Sequence, residues 1–210
     1  MRLLLIDTCG EVGSVALSEG ETIAASETLP ERGSSSALLP AITRLLQAKG
    51  WALSKLDGIG VVAGPGSFTG VRVGLAAAKG LCEAASLPLA AVSRLAVLAE
   101  AAALVDGYAV LDAGRGEYYV RIVRPGEEAQ DALCHRDNLL AKVDAKRVVV
   151  AESKLVEQLA SLRPEFHLLR AEQALSAVLR GLREGGSDVA TTDANYVRGE
   201  RDIYAKVAVR

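Results

Sequence analysis

The sequence predicts an α/β protein of two lobes, and three observations carry that prediction. Strand-like runs followed by helix-like runs occur twice along the chain, as expected of two sheets with flanking helices. The stretch IDTCGEVGSVAL matches LDAGRGEYYVRI at an offset of about 105 residues, half the chain, placing Asp7 on Asp112, Ile6 on Leu111, Val15 on Val120 and Leu17 on Ile122. Such a period marks a duplicated strand-turn-strand unit, although a single shared Asp among short apolar strands also arises by chance. Finally, 210 residues with 50% hydrophobic and 24% charged side chains suffice for two real cores. The expected lobes are 1–104 and 105–210, with a cleft between them.

In chain order, LLLIDT reads as a buried strand with Asp7 at its end, CGEVG as a turn, and SVALSEG and ETIAASETL as two further strands of a meander. SSSALLPAITRLLQAKG reads as a helix. A Ser supplies the N-cap, Leu38, Leu39, Ile42, Leu45 and Leu46 recur at helical spacing, Pro40 falls near the first turn, and Gly50 stops it. DGIGVVAG is the next strand, and GSFTGVRVGLAAAKGLCEAA a second helix that ends before LPLAAV. A third helix is expected over 93–105. The second half opens with the hairpin GYAVLDAGRGEYYVRIV and continues through strand KRVVVAE, helix SKLVEQLASLR, strand FHLLRA, helix EQALSAVLRGLREGG and a polar tail.

Composition excludes several classes of function. A net charge of -2 and a pI near 5.8 leave no basic footprint for gripping nucleic acid directly. Cys9, Cys82 and Cys134 are widely spaced and read as reduced thiols. The opening MRLLLIDTCG is too short in apolar residues for a signal-peptide core, and no run approaches the roughly 18 apolar residues of a membrane span, so a cytoplasmic location is expected.

The glycine-rich stretch AGPGSFTGVRVGLAAAKGL invites a phosphate-loop reading, but no Lys-Ser or Lys-Thr follows Gly70 or Gly74. Gly58, Gly60 and Ala63 fit GxGxxA yet fall inside a strand. Ser67 lacks a nucleophile elbow, because Pro65 stands where GxSxG needs Gly. His135 and His167, the two histidines, form no HxxxH, and no metal ligand set is visible. Two readings stand for Asp7 with Thr8, and for Asp112: each turn presents a carboxylate to a nucleotide and its magnesium, or each Asp caps its own turn. No independent catalytic constellation is apparent.

On a helix over 66–86, Gly66, Gly70, Gly74 and Ala78 share one stripe. Each interior Gly costs about 1 kcal/mol relative to Ala, so the row must serve a close approach. The approaching group is another backbone or ligand, or the chain's own sheet. Ser67 and Thr69 at the helix start also leave N–H groups that suit an anion.

Four segments together, IDTCGEVGSVAL, GPGSFTGVRVGL, LDAGRGEYYV and NYVRGERDIYAK, resemble the TsaB (YeaZ) family in order and spacing across nearly the whole chain. The resemblance implies two ribonuclease-H-like lobes of the actin/hexokinase (ASKHA) type, a duplicated unit with a mixed sheet and flanking helices. It implies a noncatalytic subunit of the bacterial complex that forms N6-threonylcarbamoyladenosine in the anticodon loop of tRNAs reading ANN codons. Its partners would be TsaD in a heterodimer and the ATPase TsaE in a larger assembly, with a homodimer in isolation and tRNA met only through the complex.

No cofactor is expected on the chain alone; ATP or ADP with magnesium would belong to the assembled complex. The family's pairing surface falls on the first helix and the GPGSFTG helix, here Leu38, Leu39, Ile42, Leu45, Leu46, Gly66, Ser67, Phe68, Thr69, Gly70, Arg72, Val73, Gly74 and Ala77. The HxxxH metal positions of the related TsaD sequences fall on Arg94 and Leu98, which cannot hold iron or zinc, and Ser34 stands where many members have His. The competing classes are a freestanding nucleotide-dependent ATPase using Asp7 and Thr8, and a metal-dependent glycoprotease.

Overall fold

A computed structural model describes residues 1–31, 33–143, 146–195 and 197. The tail motif NYVRGERDIYAK therefore lies almost wholly outside the described residues, as does the side chain of Ser34.

The first sheet is a meander, β1 (Arg2–Asp7), β2 (Ser14–Glu19) and β3 (Thr22–Thr28), extended by β4 (Gly58–Val62) and β5 (Leu89–Val92). Its spatial order is β3-β2-β1-β4-β5. β1–β2 and β2–β3 are antiparallel, whereas β1–β4 and β4–β5 are parallel, the latter requiring helical crossovers. Those crossovers are α1 (Ser34–Lys49) and α2 (Phe68–Ala85). The second sheet contains β6 (Gly107–Gly114), β7 (Glu117–Val123), β8 (Gln130–His135), β9 (Arg147–Val150) and β10 (Glu165–Phe166). Counted from its own first strand it repeats the order 3-2-1-4-5 with the same strand senses. The duplication seen in the two hairpins thus extends to whole lobes, giving the mixed-sheet duplicated ASKHA fold.

The hairpins differ at their turns. Ile6 faces Val15, but Leu111 faces Tyr119, one position away from the sequence alignment. The second turn is reduced to Arg115 and Gly116, both at positive φ, the conformation of tight two-residue hairpins. The first spans 8–13 and reaches out as a longer loop.

Several elements depart from their expected bounds. The N-cap of α1 is Gly33 at φ 78, not a Ser; the Ser36 hydroxyl instead donates to the Gly33 carbonyl at 2.9 Å. With the helix starting at Ser34, Pro40 falls in the second turn, on an exposed face. Gly50 ends α1 at φ 65, as its freedom at positive φ predicts. α3 covers only Arg94–Ala101, because Ala103 turns the chain at φ 46. FHLLRA forms no full strand; only Glu165–Phe166 pairs in parallel with β9. Helix SKLVEQLASLR divides into α5 (Ser153–Gln158) and a 3₁₀ turn at Ala160–Leu162, and the last helix into a 3₁₀ turn at Ala171–Ala174 and α6 (Leu175–Arg183). Strand β8 and helix α4 (Arg136–Lys142) have no counterpart in the sequence reading.

A cut at 104/105 separates the sheets but not the cores. Leu169, Ala171, Ala174, Leu175, Val178 and Leu179 return to the first lobe's core. There Gly58 and Gly60 on β4 make room: a Cβ at Gly58 would lie 2.9 Å from Leu182, and one at Gly60 would overlap Val178. The GxGxxA glycines therefore seat α6 on the sheet. In exchange, α3 packs against β6, β7 and β9 of the second lobe. That lobe's smaller core gathers Tyr108, Val110, Tyr118, Val120, Leu139 and Val150.

Candidate functional site

The backbone that approaches the glycine stripe belongs to the chain itself. A Cβ at Gly66 would overlap the Cys9 carbonyl, one at Gly70 the Thr8 carbonyl, and one at Gly74 the Thr8 hydroxyl. Two hydrogen bonds fasten this contact, Ser67 N–H to the Cys9 carbonyl at 2.9 Å and Thr8 Oγ1–H to the Gly70 carbonyl at 2.6 Å. Gly66, Gly70 and Gly74 thus bring α2 down on the end of β1 and the start of the first turn. The expectation that they make room for a partner is corrected: Gly74 is buried, and the stripe is an internal seam.

What α2 presents outward is its other face. Ser67, Phe68, Thr69 and Arg72 are exposed, Phe68 at 59%, while Val73 and Ala77 are half-buried. Arg72 stacks on the Phe68 ring with its guanidinium carbon 3.9 Å from the centroid, fixing an aromatic and a cation together on the surface. On the adjoining α1, the expected set divides. Leu38, Ile42 and Leu45 are core residues at 1%, 3% and 7% exposure, so their assignment to a partner face is corrected by the helix's orientation. Leu39 is 52% exposed and Leu46 partly buried against the core. At the helix start, the Ser67 hydroxyl already accepts Gly70 N–H at 3.3 Å, which uses one of the N–H groups an anion would need.

Between the lobes lies a cleft of about 500 Å³, whose walls include Thr8, Gly10, Ser67, Thr69, Arg94, Asp112, Glu152 and Lys154. Some of its polar groups are engaged with the chain itself, while Arg94 Nε and Glu152 Oε2 have no hydrogen-bond partner among the described residues. Asp7 is buried and accepts Cys9 N–H at 2.9 Å, the capping role open to it from sequence. Asp112 does the same for Gly114 N–H at 2.9 Å and meets Lys154 Nζ at 2.6 Å. Burial pushes the Asp112 carboxyl upward, but Lys154 and the Gly114 N–H outweigh that and leave it below its ordinary value; Lys154 is raised in turn, chiefly by its bond to Asp112. Glu11 and Glu31 add further acids to the walls. The Thr8 hydroxyl, the Asp112 carboxylate and Lys154 are each held by the chain, and the acids Glu11, Glu31, Asp112 and Glu152 outnumber the cations Arg94 and Lys154 in the walls.

At the cleft floor, Arg94 Nη1 donates to Glu152 Oε1 at 2.8 Å, with both side chains about nine-tenths buried or more. Burial alone would lower the Arg94 pKa, but Glu152 and then Asp7 outweigh it, so the guanidinium stays charged. Arg94 is one of the two positions aligned with metal ligands; the other, Leu98, is fully buried in the core. Among the described residues no three His, Cys, Asp or Glu side chains converge as a metal site. His135 sits 3.2 Å from Glu117 at the end of β8, and His167 follows β10; neither lines this cleft. Glu152 and Lys154 were not singled out in the sequence, since nothing in ESK announces that the end of β9 faces Arg94 and Asp112.

Comparison with known proteins gives a consistent picture. The family model described as TsaD: tRNA N6-adenosine threonylcarbamoyltransferase matches residues 24–181. The tRNA threonylcarbamoyladenosine biosynthesis protein TsaB of Escherichia coli (strain K12) is 41% identical over 81 residues, which cover 39% of this chain and 35% of that protein. The match thus spans about a third of that curated relative's length. Two solved structures from Pseudomonas aeruginosa are similar over most of the chain. One, described as an uncharacterized protein with similarity to peptidase YEAZ, is 30% identical with a TM-score of 0.77, covering 94% of this chain and 99% of that one. The other, YeaZ, is 29% identical with a TM-score of 0.75, covering 93% and 99%. No helix among the described residues is long and apolar enough to cross a membrane.

Proposed function

From the premise that this chain belongs to the tRNA N6-adenosine threonylcarbamoyltransferase (TsaD) family, on its TsaB (YeaZ) branch, we propose that it is an accessory subunit of threonylcarbamoyladenosine formation on tRNA. It acts by docking on the TsaD subunit that carries the transfer, in a cytoplasmic assembly that also includes TsaE. The observation that carries this reading is the surface of α1 and α2: Leu39 on α1 and Phe68 on α2 stand more than half exposed, with Val73 and Ala77 half-buried on α2. An exposed aromatic stacked with an Arg, on a helix that also carries half-buried Val73 and Ala77, is a composition found at interface hot spots. The same face serves a homodimer when TsaD is absent.

A noncatalytic role accords with a cleft in which Lys154 pairs with Asp112 and Arg94 with Glu152. ATP or ADP with magnesium accordingly enters with the assembled complex, and tRNA is met through the partner, in keeping with a net charge of -2. Reconstitution tests the role: the partner subunits of the same organism should form the modified nucleoside only when this chain is added. Equal product without it would overturn the proposal. Turnover of ATP by the chain alone would favour the nucleotide-dependent enzyme instead.

A further inference from the structure

The Arg94–Glu152 pair holds more than its own two charges. Arg94 opens α3, its backbone N–H bound to the Gly64 carbonyl at 2.7 Å, and Glu152 stands just after β9, at the N-cap of α5 in the second lobe. The first hairpin turn lies directly on the guanidinium: a Cβ at Gly10 would be 2.9 Å from Arg94 Nη2. On either side of that turn is open space, the cleft of about 500 Å³ and a second cavity of about 230 Å³, and both are lined by Gly10, Glu11, Arg94 and Glu152. The turn therefore meets the ion pair at Gly10, with a cavity on either side. Within the pair, Arg94 Nε and Glu152 Oε2 are buried without a hydrogen-bond partner among the described residues, so the contact is held by one direct bond in a costly environment.

We propose that Arg94 and Glu152 form a latch that seats residues 10–12 of the first hairpin turn on the second lobe, and that breaking it frees the turn and uncovers Cys9. Cys9 is 1% exposed, lines the cleft, and donates its thiol hydrogen to the Val62 carbonyl at 3.0 Å. Its own carbonyl accepts Ser67 N–H at the N-cap of α2. The latch thus connects the second lobe to the first turn of α2, and, resting on the docking reading above, it sets the geometry of the face offered to the partner.

Alkylation of the isolated chain by iodoacetamide, read at each cysteine by mass spectrometry, tests this without any partner. Half-exposed Cys134 reports reagent activity, and buried Cys82 reports global unfolding. Arg94→Met, which leaves the Glu152 and Asp7 carboxylates facing a neutral chain, should raise the Cys9 rate at least tenfold while the Cys82 rate stays unchanged. Glu152→Gln, which preserves shape, should raise it less, since Asp7 still bears on Arg94; if Arg94→Met does not fold, this variant decides. Hydrogen exchange should lose protection at the Cys9 and Ser67 amides and at the start of α2 before the strands. A Cys9 rate within twofold of the parent, or Cys9 and Cys82 rising together, would overturn the latch. Either result leaves the docking proposal to its own experiment.

Discussion

Replacing Gly70 by Ala isolates the seam between α2 and the first turn. Helix propensity favours the change by about 1 kcal/mol, because Gly is the poorer helix former. Against this, the new Cβ would overlap the Thr8 carbonyl, and that approach is fixed by the Thr8 Oγ1–H bond to Gly70 and the Ser67 N–H bond to Cys9. Overpacking a tight contact costs about 1–3 kcal/mol, and losing one of the two bonds roughly 1 kcal/mol more. The net effect is a loss of about 1–3 kcal/mol, or a fall in Tm of about 2–4 °C for each kcal/mol in a chain of this size. Gly80, nearly three turns along the same helix, supplies the control: it is exposed, and a Cβ there would meet nothing within 4 Å. Gly80→Ala should gain up to about 1 kcal/mol. Urea denaturation of both variants beside the parent decides the matter. Equal stabilisation by the two substitutions would refute the reasoning and return the stripe to solvent or a partner.

Three further outcomes are expected. Leu38→Ala should lose about 2–5 kcal/mol as a core truncation, whereas Leu39→Ala on the same helix should stay within about 0.5 kcal/mol, both by denaturant titration. Phe68→Asp should leave Tm unchanged but weaken association with TsaD by about 2 kcal/mol or more, a loss of roughly 30-fold, by calorimetry; unaltered affinity would remove Phe68 from the interface. The Asp112–Lys154 pair should impose two pH limits. The depressed Asp112 pKa contributes stability present above the ordinary carboxylate value of about 3.9 and lost as pH falls through the folded value, and the raised Lys154 pKa contributes stability present below about 10.4 and lost as pH rises through the folded value. Asp112→Asn should flatten both limbs of urea stability against pH.

Much of the fold was legible because local signals and tertiary outcome agree. The three-strand meander follows from short apolar runs broken by the CGEVG turn, α2 from the helix-like run GSFTGVRVGLAAAKGLCEAA before LPLAAV, and the duplicated hairpin announced the second lobe. Strand β8 escaped because QDALCH pairs only with β7 at a half-exposed edge, so its pattern is weakly apolar. The sequence also could not say which helix would cover Gly58 and Gly60, since α6 returns from more than a hundred residues away. In the candidate site, helical spacing identified the apolar residues of α1 but not the rotation that buries Leu38, Ile42 and Leu45 and leaves Leu39 outside. Steps of four likewise found the glycine stripe without revealing that Thr8 and Cys9 occupy it. The Arg94–Glu152 contact joins residues 58 apart whose encounter depends on how the two lobes meet.

The central claim is that this chain acts by docking α1 and α2 on TsaD, and sedimentation of the two purified proteins, alone and mixed, tests it most directly. A mixed species with the mass of a heterodimer, formed by the parent and lost with Phe68→Asp while that variant remains folded, is the predicted result. Independent sedimentation of the parent and TsaD at micromolar concentration would contradict it.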